Sequence, residues 1–436
     1  MTNTALDARM TTPLLDELAW RGLLYQKTDG LDEYLARVGS MAVYCGFDPT
    51  ASSLHVGNLV PVMGLVHTQR AGHRPYALVG GGTGMIGDPS GRASERQLLD
   101  LDQVAANVRG IASQLERFLD FSGANAARVV DNAEWLTKLG AIEFMRDVGK
   151  HFTVNVMLAK ESVRSRLDAG ISYTEFSYML LQAYDFLELH RRHGVTVQAG
   201  GSDQWGNMTM GTELIRRTTG GEAHVLTFPL VTTSSGAKFG KSEGNAIWLD
   251  PALTSPYRFY QFWVNTDDRD VGRYVRYFTL IARDQIEALE RSAVENPAGR
   301  EAQRALAFDV TARVHGEPAA RIATEVSTIL FGGGDPSALS LEALDALRNE
   351  VPFAEVDAPA PSPDGTRALD VLDLLVAVGL VPSKGAGRRL LEQGGIYVNG
   401  RRLAATERMI GEDQLLVGRY LLLRKGAREY GLVKVR

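Results

Sequence analysis

The chain has 436 residues, 44% hydrophobic and 23% charged, with a formal net charge of −5. That length suggests more than one domain, and the composition excludes a largely disordered chain. No apolar run approaches the ~18 residues of a membrane span, and the N-terminal stretch does not read as a secretory signal. The single cysteine, Cys45, rules out an intrachain disulfide, and a reducing, cytoplasmic setting is expected.

In chain order, residues 1–245 read as α/β. Short apolar runs such as MAVYCGF and RPYALVG have strand character, and LDQVAANVRGIASQLERFL and YTEFSYMLLQAYDFLELH have helical spacing. Such alternation predicts a parallel sheet flanked by helices. Residues 246–350 read as mostly helical, through SPYRFYQFWVN, RYVRYFTLIARDQIEALERSA and GREAQRALAFDVTARVHG. VPFAEVDAPAPSPDGT, residues 351–366, carries four prolines and reads as a linker. Residues 367–436 form a small final unit. RALDVLDLLVAVGL predicts a helix, and GAGRRLLEQGGIYVNGRRL predicts helix, turn, strand and an Asn-Gly turn. This unit holds 13 basic and 7 acidic residues, whereas the rest of the chain holds 34 and 45. A basic terminal module on an acidic body points to a polyanion partner.

Two glycine-rich segments invite misreading. Gly82-Thr83-Gly84-Met85-Ile86-Gly87 matches a dinucleotide fingerprint, which would suggest a dehydrogenase. Asp88 and Pro89 follow where that fingerprint needs a continuing helix. The segment from Gly236 to Ser242 ends like a phosphate-binding P-loop but is one residue short, with Ser235 in the place of its first glycine. Two lysines around a glycine, Lys238 and Lys241, could still clamp a triphosphate; a solvated loop is the plain alternative.

His55-Val56-Gly57-Asn58 follows a strand-like segment and a turn. A helix opening there would offer backbone N–H groups to an anion. Gly57 would let a base or sugar approach closely. With these residues the sequence resembles the class I aminoacyl-tRNA synthetases. HVGN corresponds to their first signature and KFGKS, residues 238–242, to their second. YCGFDPTASSLHVGNL, GGTGMIGDPSGRASER, YTEFSYMLLQAYDF and QAGGSDQWGN resemble the bacterial tyrosyl enzymes across the whole chain. Two departures stand out. Asn58 replaces the second histidine of the usual signature, and Arg92 stands where the family often has lysine.

The resemblance implies a Rossmann-like catalytic domain, a helical domain on the anticodon side and a small α+β RNA-binding module. It implies a ligase that activates L-tyrosine with ATP and passes it to tRNA(Tyr). Tyr44 and Asp185 are then expected at the phenol hydroxyl, and Asp88, Tyr178 and Gln182 at the ammonium group. Gly46, Asp48, Gln198, Asp203 and Gln204 would shape or hold the tyrosyl and adenosine parts, with Asp203 on ribose hydroxyls. Cys45 would touch the ATP ribose. Thr50, His55, Asn58, Arg96, Lys238, Lys241 and Ser242 would serve the pyrophosphate and the transition state. Asn132 and Trp135, in DNAEW, receive no role. Magnesium is expected with the ATP phosphates, and one cysteine supplies no zinc-binding thiolate cluster. The terminal unit resembles the RNA-binding module named after ribosomal small-subunit protein four. Its Arg388, Arg389, Arg401 and Arg402 flank the turn at Asn399-Gly400 and could contact phosphate. The family forms homodimers. The competing readings are the related tryptophanyl enzyme and an RNA-binding protein with a retired active site.

Overall fold

A computed structural model describes residues 14–90, 99–168, 170–236, 239–242, 245–331, 334–358 and 367–436. The chain forms two compact units. One runs to Thr254 and takes in Asn265–Leu306; the other holds Ser255–Val264 and Ala307–Arg436.

The first unit is built on a sheet of β1 (Gln26–Lys27), β2 (Ala42–Phe47), β3 (Arg74–Val79), β4 (Arg128–Asp131), β5 (Val197–Gly201) and β6 (His224–Phe228). Their spatial order is β1-β6-β5-β2-β3-β4. All neighbours are parallel except β1 against β6. β2, β3, β5 and β6 are buried along nearly their whole length, as strands covered on both faces must be. From β2 the chain adds β3 and β4 on one side, then returns to add β5 and β6 on the other. The reversal between β2 and β5 opens a crevice at the carboxyl ends of these strands, the usual ligand position in such sheets.

The helices α1 (Leu59–Arg70), α2 (Leu101–Leu115), α3 (Tyr173–His193) and α4 (Trp205–Thr219) position the crevice walls. α3 starts where the Ser172 hydroxyl accepts the Glu175 N–H, and it ends at Gly194, at φ 63°. A Cβ at Gly211 of α4 would lie 2.7 Å from the Phe186 ring of α3, so glycine there permits their close approach.

The single helical pattern read over residues 273–293 is interrupted. Helices Asp268–Phe278 and Arg283–Glu295 flank an extended Thr279. The buried Arg21 guanidinium donates to the carbonyls of Arg276, Thr279 and Ile281 at 3.0, 2.9 and 3.1 Å, satisfying the broken backbone from a distant helix.

The second unit has a five-stranded sheet of β7 (Phe353–Val356), β8 (Ile396–Val398), β9 (Arg401–Arg402), β10 (Tyr420–Lys425) and β11 (Glu429–Val435), in the order β9-β8-β10-β11-β7. Residues on β10 alternate between two cores. Leu421 and Leu423 join Val371, Leu372 and Leu375, whereas Tyr420 and Leu422 join Val326, Ile329, Leu344 and Leu347. Asn399 and Gly400 take φ of 48° and 82°, the turn expected between β8 and β9.

Two expected boundaries differ from this arrangement. Phe353–Val356, read as the start of a linker, pairs with β11 as a parallel edge strand; residues 359–366 lie outside the described residues. The helical stretch 246–350 is shared between the units, because the helices Glu317–Leu330 and Leu341–Leu347 bury their apolar faces against β10 and β11. Leu422→Ala is expected to destabilise this second unit by about 2–5 kcal/mol. Denaturant unfolding should show that loss, with the first unit's transition unchanged.

Candidate active site

Tyr44 on β2 and Gln198 on β5 are register partners at the strand reversal. Both are buried, at 1% and 3% exposure. The Tyr44 hydroxyl and the Gln198 Oε1 have no hydrogen-bond partner among the described residues. Buried polar atoms are ordinarily satisfied, so an orphaned pair on neighbouring strands marks a place for a polar ligand group.

Asp185 of α3 stands at this end of the crevice, 2% exposed. Its Oδ2 accepts from the Asn132 amide at 2.8 Å and its Oδ1 from the Trp135 indole N–H at 2.7 Å. Burial pushes the Asp185 carboxyl up to about 8; the Asn132 and Trp135 bonds oppose this, while the charges of Asp48 and Asp131 add to it. The Tyr44 phenol is raised well above its ordinary range by burial and then by the Asp185 charge. Asn132 and Trp135, to which the sequence reading assigned no role, are thus the direct supports of Asp185. Their linear signal is faint: an Asn and a Trp three apart at a strand end give no hint of a carboxylate 50 residues away.

The other end of the crevice is richer in carboxylates. Tyr178 donates to Asp48 Oδ2 at 2.8 Å, and the Thr83 hydroxyl donates to Asp48 Oδ1 at 2.9 Å. Asp88 accepts from Gln204 Nε2 at 2.7 Å and from the Ser90 N–H at 3.0 Å. Asn207 donates to Gln182 Oε1 at 3.2 Å and lies against Gln204, so the expected Gln182 and Asp88 are joined through a residue not singled out before. The Tyr178 phenol is raised by burial and by the charges of Asp48 and Asp88. Asp203 reaches solvent, yet the surrounding protein and Asp88 push its carboxyl upward. So many carboxylates around one cleft favour a cationic group between them. Gly46 is the one exposed residue of β2. Cys45 alternates to the other face of the strand, buried, with its thiol pushed up to about 12 by burial. It is a poor nucleophile there.

The first signature forms a 3₁₀ turn, Val56–Asn58, leading into α1. Two expectations are corrected here. The Gly57 N–H is not free for an anion, because it donates to His55 Nδ1 at 3.0 Å. Nor does Gly57 open space for a ligand, because a Cβ there would meet the His55 ring at 2.7 Å. Asn58 Oδ1 in turn accepts the His55 N–H at 3.0 Å, completing a capping box. Accepting at Nδ1 puts the proton of a neutral His55 on Nε2, making that nitrogen a donor. Thr50 is exposed nearby in sequence, its N–H bonded to the Asp48 carbonyl.

The second signature is tied to the first through backbone. Val56 N–H donates to the Ile247 carbonyl, Leu249 N–H to the Leu54 carbonyl and Ile247 N–H to the Gly240 carbonyl. Gly240 has φ 80°, and a Cβ on it would lie 2.9 Å from Val56. Lys241 and Ser242 form a short strand pairing with Asn245 and Ala246. Lys238, Arg92 and Arg96 lie outside the described residues.

In the second unit, Arg388 and Arg389 are exposed on the helix Lys384–Glu392. Arg401 and Arg402 are already engaged. Arg401 pairs with Glu407, and Arg402 donates to the carbonyls of Gly394 and Gln393, closing the end of that helix.

A parallel sheet with its crevice at the strand reversal, and two signatures joined by backbone at its mouth, define a class I aminoacyl-tRNA synthetase. The family model described as tRNA synthetases class I (W and Y) matches residues 37–332. The one described as Tyrosine–tRNA ligase SYY-like C-terminal domain matches residues 347–433. A tyrosine–tRNA ligase of Anaeromyxobacter dehalogenans is 54% identical over 423 residues, covering 97% of this chain and 99% of that one. One from Thermobifida fusca is 51% identical, covering 98% and 100%. Among solved structures, a C-terminally truncated Aspergillus nidulans mitochondrial tyrosyl-tRNA synthetase aligns with TM-score 0.67 and 30% identity, over 73% of this chain and 94% of that one. The chain belongs to the tyrosine–tRNA ligase family.

The Asp185 environment has a consequence for unliganded protein. Its folded pKa, about 8, lies above the ordinary 3.8. The folded form therefore keeps a proton that the unfolded chain releases, so this contribution to stability is full below about pH 4 and is lost as pH rises toward 8. The melting temperature should fall more steeply from pH 5 to 8 in wild type than in Asp185→Asn. Parallel profiles would mean that Asp185 is ionised throughout.

Proposed function

We propose that this protein activates L-tyrosine with ATP and transfers the tyrosyl group to tRNA(Tyr), with the substrate lying between Asp185 and the Asp48–Asp88 end of the crevice. The observation that carries the reading is the orphaned Tyr44 hydroxyl beside buried Asp185, with the orphaned Gln198 oxygen on the next strand. A phenol hydroxyl supplies the missing partner for Tyr44. A tyrosine ammonium at the far end meets Tyr178, Gln182 and Asp88, with Asp48 holding Tyr178 in place.

In the first step a tyrosine carboxylate oxygen attacks the α-phosphorus of ATP. The bond to the bridging oxygen breaks and pyrophosphate leaves. No protein nucleophile is needed; the work is positioning and charge stabilisation. His55 donates from Nε2 to the phosphates, and Asn58 fixes the turn that aims it. Thr50, Arg96, Lys238, Lys241 and Ser242 serve the leaving pyrophosphate, Asp203 takes the ribose hydroxyls, and Gly46 and Gln204 line the nucleotide side; Gly57 makes room for the His55 ring and Cys45 is buried on the other face of β2. In the second step a ribose hydroxyl at the tRNA 3′ end attacks the tyrosyl carbonyl and AMP leaves. Magnesium bound with the ATP phosphates would offset their charge. Asp48 and Asp88 are engaged by Tyr178, Thr83, Gln204 and Ser90, so no step is assigned to a protein-held ion.

Arg388 and Arg389, exposed and without an ion pair among the described residues, are the arginines best placed to take tRNA phosphate. Arg401 and Arg402 shape the same edge. A homodimer is supported by exposed apolar side chains concentrated from the end of β4 to the start of α3: Ile142, Met145, Val154, Val156 and Tyr173, at 74% and 73% exposure for the first and last. No helix of the described residues is long and apolar enough to cross a membrane, and we place the enzyme in the cytoplasm, where its tRNA is charged.

Pyrophosphate exchange across the twenty amino acids tests the reading: tyrosine should support it and tryptophan should not. Tyr44→Phe removes one oxygen, so the ratio of kcat/KM for tyrosine over phenylalanine should drop up to about tenfold. An unchanged ratio would remove Tyr44 from the hydroxyl site. Replacing Arg388 and Arg389 together by alanine should raise the KM for tRNA while leaving exchange at wild-type rate. Equal charging at both low and high salt would exclude a phosphate role.

A further inference from the structure

The glycine-rich segment after β3 matches a dinucleotide fingerprint, but the amides of Gly81 and Gly82 are spent on side chains at the end of β4. Gly81 N–H donates to Asp131 Oδ1 at 3.1 Å, and Gly82 N–H donates to Asn132 Oδ1 at 2.7 Å. A Cβ at Gly80 would lie 2.4 Å from Asp48 Oδ1 and 2.3 Å from Thr83 Oγ1; one at Gly81 would lie 2.3 Å from Asp131 Oδ1. The glycines are therefore needed so that polar side chains can close on bare backbone.

Thr83 is the centre of that wiring, and it is 2% exposed. A hydroxyl has one proton to give. Thr83 gives it to Asp48 Oδ1 at 2.9 Å, and its oxygen accepts from Asn132 Nδ2 at 3.0 Å. The same Asn132 amide donates to Asp185 Oδ2 at 2.8 Å. The order Tyr178–Asp48–Thr83–Asn132–Asp185–Trp135 is thus a continuous hydrogen-bonded chain, buried at every member except the half-buried Asp48. It runs from the ammonium end of the crevice to the hydroxyl end. In a water-excluded site such a chain sets the position of both carboxylates together.

We propose that Thr83 is a positioning residue that couples the two recognition ends of the tyrosine pocket, so that removing its hydroxyl loosens selection at both ends at once. This rests on the tyrosine-pocket reading given above. Thr83 touches no substrate in this scheme; it acts through Asp48 and through Asn132.

The test uses the full-length protein and three ligands: tyrosine, phenylalanine, which lacks the hydroxyl, and 3-(4-hydroxyphenyl)propanoate, which lacks the ammonium. Thr83→Val keeps the shape and removes the hydroxyl; Thr83→Ser keeps the hydroxyl. Binding of each ligand is measured at equilibrium, and the KM for ATP by pyrophosphate exchange. Thr83→Val should weaken tyrosine about tenfold. It should lower both the tyrosine-to-phenylalanine and the tyrosine-to-propanoate affinity ratios several-fold. The KM for ATP should stay within about twofold, and Thr83→Ser should recover both ratios. A fall in one ratio alone, or in neither, overturns the coupling. Equal weakening of all three ligands, not recovered by serine, makes Thr83 merely structural and also overturns it. Should Thr83→Val fail to fold, Thr83→Ala gives the same comparison. Wild-type protein that does not prefer tyrosine over phenylalanine would instead sink the pocket assignment itself, a result distinct from intact wild-type selectivity with unchanged Thr83 variants.

Discussion

The burial of one carboxylate, Asp185, governs how this crevice is built. A carboxyl group 2% exposed is costly to hold unless it is hydrogen-bonded. The fold meets that cost from two strands away, with the Asn132 amide and the Trp135 indole both directed at Asp185. Asn132 is held for this by the Gly82 N–H, which donates to its oxygen at 2.7 Å. The placement of β4 beside β3, the glycine run after β3 and the inward face of α3 are thus parts of one solution.

The two signature segments obey a different economy. HVGN is held by local bonds, with His55 and Asn58 closing a turn on each other. Its register with the second signature is held by backbone, through residues 54–56 against 247–249. Neither arrangement requires a long-range side-chain network. His55 is therefore set by a turn, whereas the polar groups around Asp185 are set by the whole sheet.

The second unit shows how a small module gains a core. Its sheet is apolar on both faces, and the helices before it cover one of them. β7 extends the sheet at β11 in parallel register and so protects that strand's edge. Arg388, Arg389, Arg401 and Arg402 lie at the opposite side of the module, on the helix Lys384–Glu392 and at the β8–β9 hairpin.

Much of this was legible in the linear chain. The apolar runs of β2 and β3, the capped helix α3, the Asn-Gly turn and the paired signatures all depend on short-range pattern, which neighbouring residues determine by sterics and backbone hydrogen bonding. The family could be recognised for the same reason, because its motifs are contiguous. What only the tertiary structure decided is which polar groups satisfy one another. Asp185 with Trp135, Asp48 with Thr83, and Arg21 with the carbonyls after the helix Asp268–Phe278 are separated by 35 to 260 residues. Gly57 reads as a ligand contact and the glycines after β3 match a dinucleotide fingerprint, yet they make room for the protein's own side chains. A linear pattern carries propensity and spacing. It does not carry the satisfaction of buried donors and acceptors, which is settled only when distant segments share one dry interior.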